Sequence, residues 1–181
     1  CFGTIDAWLV FCMTGGSAFK TDVSNASRTQ LLSLDTIDWD DKMLGLFGIV
    51  KDSLPEVCES NELYGYTDLG GIFDSPIPIC GVMGDSQAAL LGNGCLSPGE
   101  AKITLGTGTS VMVNIGSKRN FPDCGVVESI GWKLNGSLCY VLEGNINYTG
   151  ALIVWLKNNL GIIERSRDVG KIAASVEDNG G

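Results

Sequence analysis

One short stretch fixes more of this chain's architecture than any other. The apolar run Ile77-Pro78-Ile79-Cys80-Gly81-Val82-Met83 breaks at Gly84-Asp85 and continues as Ser86-Gln87-Ala88-Ala89-Leu90-Leu91. The run reads as a buried strand and the Ala/Leu-rich continuation as a helix start. Asp85 therefore falls at a strand-to-helix junction, where α/β proteins present side chains to solvent and ligands. About twenty residues later comes Gly106-Thr107-Gly108-Thr109-Ser110. Its glycines let the backbone turn with N–H groups pointing inward, and its hydroxyls add donors, an arrangement that suits a polyphosphate. Each segment also has a plainer reading: Asp85 as a helix N-cap, Gly106-Thr107-Gly108 as a turn between strands.

The rest of the composition narrows the chemistry. At 181 residues, 44% hydrophobic and 18% charged, the chain has the apolar content for a packed core and lies outside the disordered class. Its apolar runs fall short of the ~20 residues of a membrane span. A net charge of −9 repels nucleic acid. There is no histidine, which removes imidazole bases and the common zinc arrangements, and the cysteines Cys1, Cys12, Cys58, Cys80, Cys95, Cys124 and Cys139 include no Cys-x-x-Cys pair. Cys80 and Cys139 sit in apolar runs and read as small core residues of a protein in a reducing cytoplasm. A base acting near neutral pH must then be a carboxylate, Lys, Tyr or Cys, and Asp85 leads that set.

Local signals organise the chain into two parts. Thr4 to Met13 reads as an apolar helix stopped by Thr14-Gly15-Gly16, Phe19 to Ser24 as a short strand, Asn25 to Leu34 as a loop or short helix, and Asp40 to Phe47 as a helix closed by Gly48. Glu59 to Ser75 is polar and Gly-rich, a surface excursion. The breaker-rich Asn93 to Gly99 is the candidate domain boundary, dividing 1–92 from 93–181. Beyond it Glu100 to Leu105, Thr109 to Ile115, Val126 to Leu134 and Ser137 to Glu143 read as strands of a β-meander, with Asn135-Gly136 as a hairpin turn, before a helix from Thr149 to Leu160 closed by Gly161. Trp8, Trp39, Trp132 and Trp155 read as core or half-buried packing residues.

Several phrases in one order carry a resemblance: Gly3-Thr4-Ile5-Asp6-Ala7-Trp8-Leu9, Thr21-Asp22-Val23-Ser24-Asn25-Ala26-Ser27-Arg28-Thr29, Asp38-Trp39-Asp40-Asp41, Leu54-Pro55-Glu56-Val57, Gly84-Asp85, Ala101-Lys102, Gly106-Thr107-Gly108 and Leu142-Glu143-Gly144. Together they span nearly the whole chain and resemble the FGGY family of carbohydrate kinases, its glycerol-phosphorylating branch most of all. The resemblance implies an α/β chain of the actin-like ATPase (ribonuclease-H-like) fold, with 1–92 ending the first, substrate-side domain and 93–181 opening the second, nucleotide-side one, and a site in the cleft between the halves. It implies ATP-dependent phosphorylation of a terminal hydroxyl on a small polyol or sugar, with Mg2+, in a cytoplasmic enzyme that forms a homo-oligomer and binds neither nucleic acid nor membrane. Asp85 matches the family's catalytic base; Gly106, Thr107 and Gly108 match its loop at the β- and γ-phosphates. Gly150 matches a glycine beside the nucleotide, although close helix packing would equally require it. The family's first phosphate loop would precede Cys1 and its adenosine segment would follow Gly181, so the isolated piece is expected to be inactive.

Departures from that pattern bear on the substrate. Ser86 replaces a Gln that contacts the polyol, Thr109-Ser110 replaces Cys-Phe, and Val154 replaces a nucleotide-facing Gln. Removing the Phe ring at Ser110 takes away apolar contact worth ~2 kcal/mol and opens space for a tetritol or pentulose. The acidic Gly71-Ile72-Phe73-Asp74 replaces a basic loop that binds fructose 1,6-bisphosphate in some members. Two other readings are a non-catalytic sensor or scaffold on the same fold, which an intact Asp85 disfavours, and an actin- or chaperone-like ATPase, which the phrases of the first ninety residues disfavour.

Overall fold

The structure is a computed structural model that describes residues 1–119 and 125–178; Cys124 lies outside them. The described chain forms two compact units, one of residues 1–102 and 112–143, the other of 103–111 and 144–181.

The first unit begins with α1 (Ile5–Met13), which ends where Gly15 and Gly16 take positive φ of 61° and 84°. Strand β1 (Lys20–Asp22) leads directly into the short α2 (Val23–Ala26), followed by the antiparallel pair β2 (Leu32–Ser33) and β3 (Asp38–Trp39). Helix α3 (Asp41–Phe47) starts because the Asp40 carboxylate accepts from the N–H groups of Lys42 and Met43 at 2.9 and 3.0 Å, and stops because Gly48 adopts φ 67°. Strand β4 (Glu56–Cys58) pairs in parallel with β1, and β5 (Gly65–Thr67) pairs antiparallel with β6 (Ile77–Ile79). Helix α4 (Asp85–Gly92) follows.

A four-stranded sheet of β7 (Ala101–Leu105), β8 (Thr109–Gly116), β9 (Val127–Leu134) and β10 (Ser137–Ile146) has the order β7-β8-β10-β9. The expected meander is therefore wrong at one step. β9 and β10 are neighbours because Asn135 and Gly136, at φ 49° and 78°, make the tight turn their dipeptide favours. β10, and not β9, takes the place beside β8. Within the first unit one core packs Val23, Ala26, Leu32, Trp39 and Leu44 with Ile130 and Tyr140, and another packs Leu90, Cys95 and Met112 with Trp132, Cys139 and Val141. The second unit contains the turn between β7 and β8 and helix α5 (Gly150–Asn158), after which Gly161 takes φ 66°.

The run from Ile77 to Met83 is not a buried strand. Only Ile77–Ile79 pairs, Ile77 is 43% exposed, and Cys80 and Gly81 are exposed. Among the described residues β6 has one partner strand, and of its side chains Ile79 packs on the core of Val10, Cys58 and Tyr64 while Ile77 and Pro78 stay exposed. Cys80 is consequently not a core residue, whereas Cys139 is buried. The polar stretch 59–75 is more than a surface excursion, since Ser60, Tyr64 and Thr67 are buried. Of the tryptophans, Trp39 and Trp132 lie in the core, while Trp8 is 60% exposed on α1, where the buried residues are Ala7 and Val10.

Candidate functional site

The junction before α4 is built on a carboxylate far from it in sequence. Asp22 is fully buried at the end of β1 and caps α2. Its Oδ1 accepts from the Ser24 hydroxyl at 2.9 Å and from the Asn25 N–H and Nδ2 at 2.9 and 2.7 Å; its Oδ2 accepts from the Ser24 N–H at 3.0 Å and the Ser60 hydroxyl at 2.8 Å. A buried carboxylate is tolerable only when its oxygens are met by donors in this way. The Ser24 hydroxyl, its proton committed to Asp22, accepts the Gly84 N–H at 2.8 Å. The Gly84 carbonyl in turn accepts the Ala88 N–H at 2.8 Å, the first turn of α4. A side chain on Gly84 would put its Cβ 2.6 Å from the buried Gln87 Oε1, so bare backbone allows this approach.

Asp85 stands on that anchored backbone, exposed to solvent, its Oδ1 accepting from the adjacent Ser86 N–H at 2.7 Å. It is not the N-cap. Gly84 takes that position, without a side-chain cap, and Asp85 is the first helical residue. One of its oxygens meets a first-turn N–H, that of Ser86, and its charge favours the positive end of the helix dipole. Ser86 follows, half-buried.

In the second unit the turn after β7 is fixed through backbone. The Gly106 carbonyl accepts the Gly150 N–H at 3.0 Å, and the Thr107 carbonyl accepts the N–H groups of Thr149 and Ala151, each at 3.0 Å. The turn closes on itself through Gly106 N–H to the Gly108 carbonyl at 2.8 Å. The first donors of α5 are therefore spent on loop carbonyls, and the N–H groups of Thr107 and Gly108 are not among these contacts. Two glycines make the approach possible: a Cβ on Gly150 would lie 2.6 Å from the Gly106 oxygen, and one on Gly108 would lie 2.7 Å from the Ile146 oxygen. Close packing against the loop accounts for Gly150. The hydroxyls of Thr109 and Thr149 meet at 2.8 Å. Beside the turn is a cleft of ≈ 320 Å³ lined by Thr104, Gly108, Thr109, Ser110, Asn145, Ile146 and Asn147. Val154 points no amide there and is 53% exposed on α5.

The structure thus groups Asp85 and Ser86 in one unit and Gly106, Thr107, Gly108, Ser110 and Gly150 in the other. Sequence reasoning missed Asp22, Ser24, Asn145 and Asn147. An Asp at an N-cap is a readable helix-start signal, but the tie from Asp22 to Ser60 and that from Ser24 to Gly84 carry no local signature. A further cluster, Glu56, Cys58 and Glu62, has the ligand types of a metal site. Lys20 already serves it, its Nζ 3.2 Å from Glu62 and 3.9 Å from Glu56, and burial pushes the Cys58 thiol up to about 12, away from the thiolate that binds metal.

Residues 1–92 match the profile of the N-terminal domain of the FGGY family of carbohydrate kinases. The chain is 50% identical over 180 residues to glycerol kinase 1 of Thermotoga maritima, covering 99% of itself and 36% of that enzyme. With the glycerol kinase of Brucella anthropi the identity is 48% over 183 residues, again 99% of this chain and 36% of the relative. Among solved structures, Plasmodium falciparum glycerol kinase with ADP superposes with a TM-score of 0.88 at 36% identity, over 97% of this chain and 35% of that one. A ligand-bound xylulose kinase from Lactobacillus acidophilus shares the fold, with a TM-score of 0.80 at 21% identity over 96% of this chain and 35% of that one. The chain spans about a third of the length of these relatives. Its fold is the actin-like ATPase fold of those kinases, and the chain belongs to the FGGY family of carbohydrate kinases.

Proposed function

We propose that the protein carrying this sequence phosphorylates a terminal hydroxyl of glycerol at the expense of ATP. The observation that supports this most is the near 50% identity with glycerol kinases along the whole chain. In this reading Asp85 is the general base. It takes the proton of the hydroxyl as that oxygen forms its bond to phosphorus and the bond to the departing ADP oxygen breaks. ATP, when bound, supplies the phosphoryl group. Such transfer asks more of positioning than of base strength, so one well-held carboxylate suffices.

Thr107 and Gly108 fit a phosphate, because the contacts that pin the turn use its carbonyls and leave these two N–H groups and the Thr107 hydroxyl for a ligand. The cleft lining contains no carboxylate, so Mg2+ would arrive on the phosphates of the nucleotide. Gly150 serves the nucleotide indirectly, by letting α5 and the turn touch, and Gly106 by offering the carbonyl that accepts the Gly150 N–H. Residues 1–92 close the substrate-side domain and 93–181 open the nucleotide-side one, which the extent of the family match supports. A cytoplasmic homo-oligomer completes the proposal; among the described residues no helix is long and apolar enough to cross a membrane.

A second reading, a larger polyol or ketose, is favoured by one feature: Ser110, Asn145 and Asn147 give the cleft a polar lining. Assay of the full-length protein with ATP and a panel of glycerol, erythritol, xylulose, ribulose and gluconate separates the two. Selective formation of glycerol phosphate and ADP supports the first, and transfer to none of the panel refutes both.

A further inference from the structure

We propose that Ser24 is a positioning residue for Asp85, acting through the Gly84 N–H. The proposal rests on the base role of Asp85. Most helices fix their first turn with a side chain at the N-cap, but α4 begins at a glycine that has none to offer. The tie comes instead from sixty residues earlier, where the Ser24 hydroxyl accepts the Gly84 N–H at 2.8 Å.

Chemistry fixes the direction of that tie. A serine hydroxyl has one proton and two lone pairs, and an ionised carboxylate can only accept. The proton of Ser24 goes to Asp22 Oδ1 at 2.9 Å, which turns a lone pair of the hydroxyl toward Gly84. Asp22 cannot swing away, since Asn25 and Ser60 hold its two oxygens, and neither Asp22 nor Ser24 is reached by solvent. Bonds arranged in such a chain strengthen one another in a low-dielectric setting. With Gly84 held at its N–H from outside and at its carbonyl by Ala88, the Cα of Asp85 is placed to within the play of two short bonds. A base must meet its hydroxyl at hydrogen-bond distance, and displacement by ~1 Å costs on the order of a hundredfold.

The test uses the full-length enzyme and four variants. Ser24→Ala should lower kcat about tenfold while the KM for ATP changes less than about twofold. Ser27→Ala is the control: its hydroxyl donates to the Ser24 carbonyl and accepts from Ile130, at the far end of the same short helix and off the path to Gly84. It should lose comparable thermal stability and keep kcat. A kcat for Ser24→Ala equal to the parent's, or an equal fall in both variants, overturns the proposal, because a merely structural serine would move Tm and not turnover per folded molecule. If Ser24→Ala does not fold, Ser24→Cys, of similar volume and poorer hydrogen bonding, is read the same way. Asp85→Asn separates the two levels. Near-normal turnover there removes the base role and this proposal with it; loss of turnover there with an unaffected Ser24→Ala removes the positioning role alone.

Discussion

The two halves of the candidate machinery are held in place by different parts of the polypeptide. Around Asp85 the fixing is done by side chains: the Asn25 amide and Ser60 hydroxyl hold the Asp22 carboxylate, which orients the Ser24 hydroxyl, and that hydroxyl accepts the Gly84 N–H. Around Thr107 it is done by backbone, with carbonyls of the turn meeting N–H groups of α5 and two glycines keeping methyl groups out of the way. The first region tolerates extra bulk poorly but depends above all on chemical identity. The second is nearly indifferent to chemistry and depends on absence of bulk. Deletion of a polar group should therefore break one, and addition of a single carbon the other.

The largest effect should come from the proposed base itself. Asp85→Asn in the full-length enzyme keeps size and shape and removes the base; kcat should fall about a hundredfold or more with ATP affinity little changed. Steady-state kinetics with nucleotide titration checks this, and an Asn variant with near-normal turnover would reassign the base.

Next comes the backbone-built region. Gly150→Ala would set a methyl 2.6 Å from the Gly106 oxygen, which belongs to backbone and has to move. A displacement of a few tenths of an ångström or more at the turn should raise the KM for ATP on the order of tenfold, with the KM for the polyol unaffected. An unaltered KM for ATP would show that the turn is not where the phosphates lie. The comparison is sharpened by Thr149→Val, which removes the hydroxyl contact with Thr109 at similar volume and should change little, since backbone holds this region.

A smaller shift concerns specificity. Ser110→Phe should favour glycerol over erythritol and xylulose by roughly 10-fold in kcat/KM, because a ring in the cleft covers a short carbon chain and collides with a longer one. Glycerol selectivity that the ring leaves unaltered would place the substrate wall elsewhere.

The smallest effect distinguishes the buried side-chain network from an exposed one. Glu59 accepts from the Gly136 N–H at 2.9 Å and lies 3.1 Å from Lys133, and these contacts hold its carboxyl below the ordinary carboxylate range. A depressed folded-state value means that this stabilisation is full above the unfolded pKa of ~4.3 and is lost as pH falls through the lower folded value. Glu59→Gln should thus flatten the acid limb of Tm against pH slightly and leave neutral Tm nearly unchanged, as for exposed pairs in general. A large loss at neutral pH would mean that the β9–β10 turn is as tightly specified as the Asp85 junction.

Local backbone chemistry was legible in the sequence. Asp40 and Gly48 bounded α3, Gly15 and Gly16 stopped α1, and Asn135-Gly136 turned β9 into β10, because caps and left-handed glycines act within a few residues of themselves. Asp85 and the Gly106–Gly108 turn could be picked out as candidates for the same reason: each is a short motif. Burial, pairing order and anchoring belonged to the tertiary structure. An apolar run such as Ile77 to Met83 states only that its side chains prefer to leave water, and whether a second layer covers them depends on segments far away. The place of β10 beside β8, the tie from Ser24 to Gly84 and the need for glycine at 150 arise where distant stretches meet, at distances no single stretch of residues encodes.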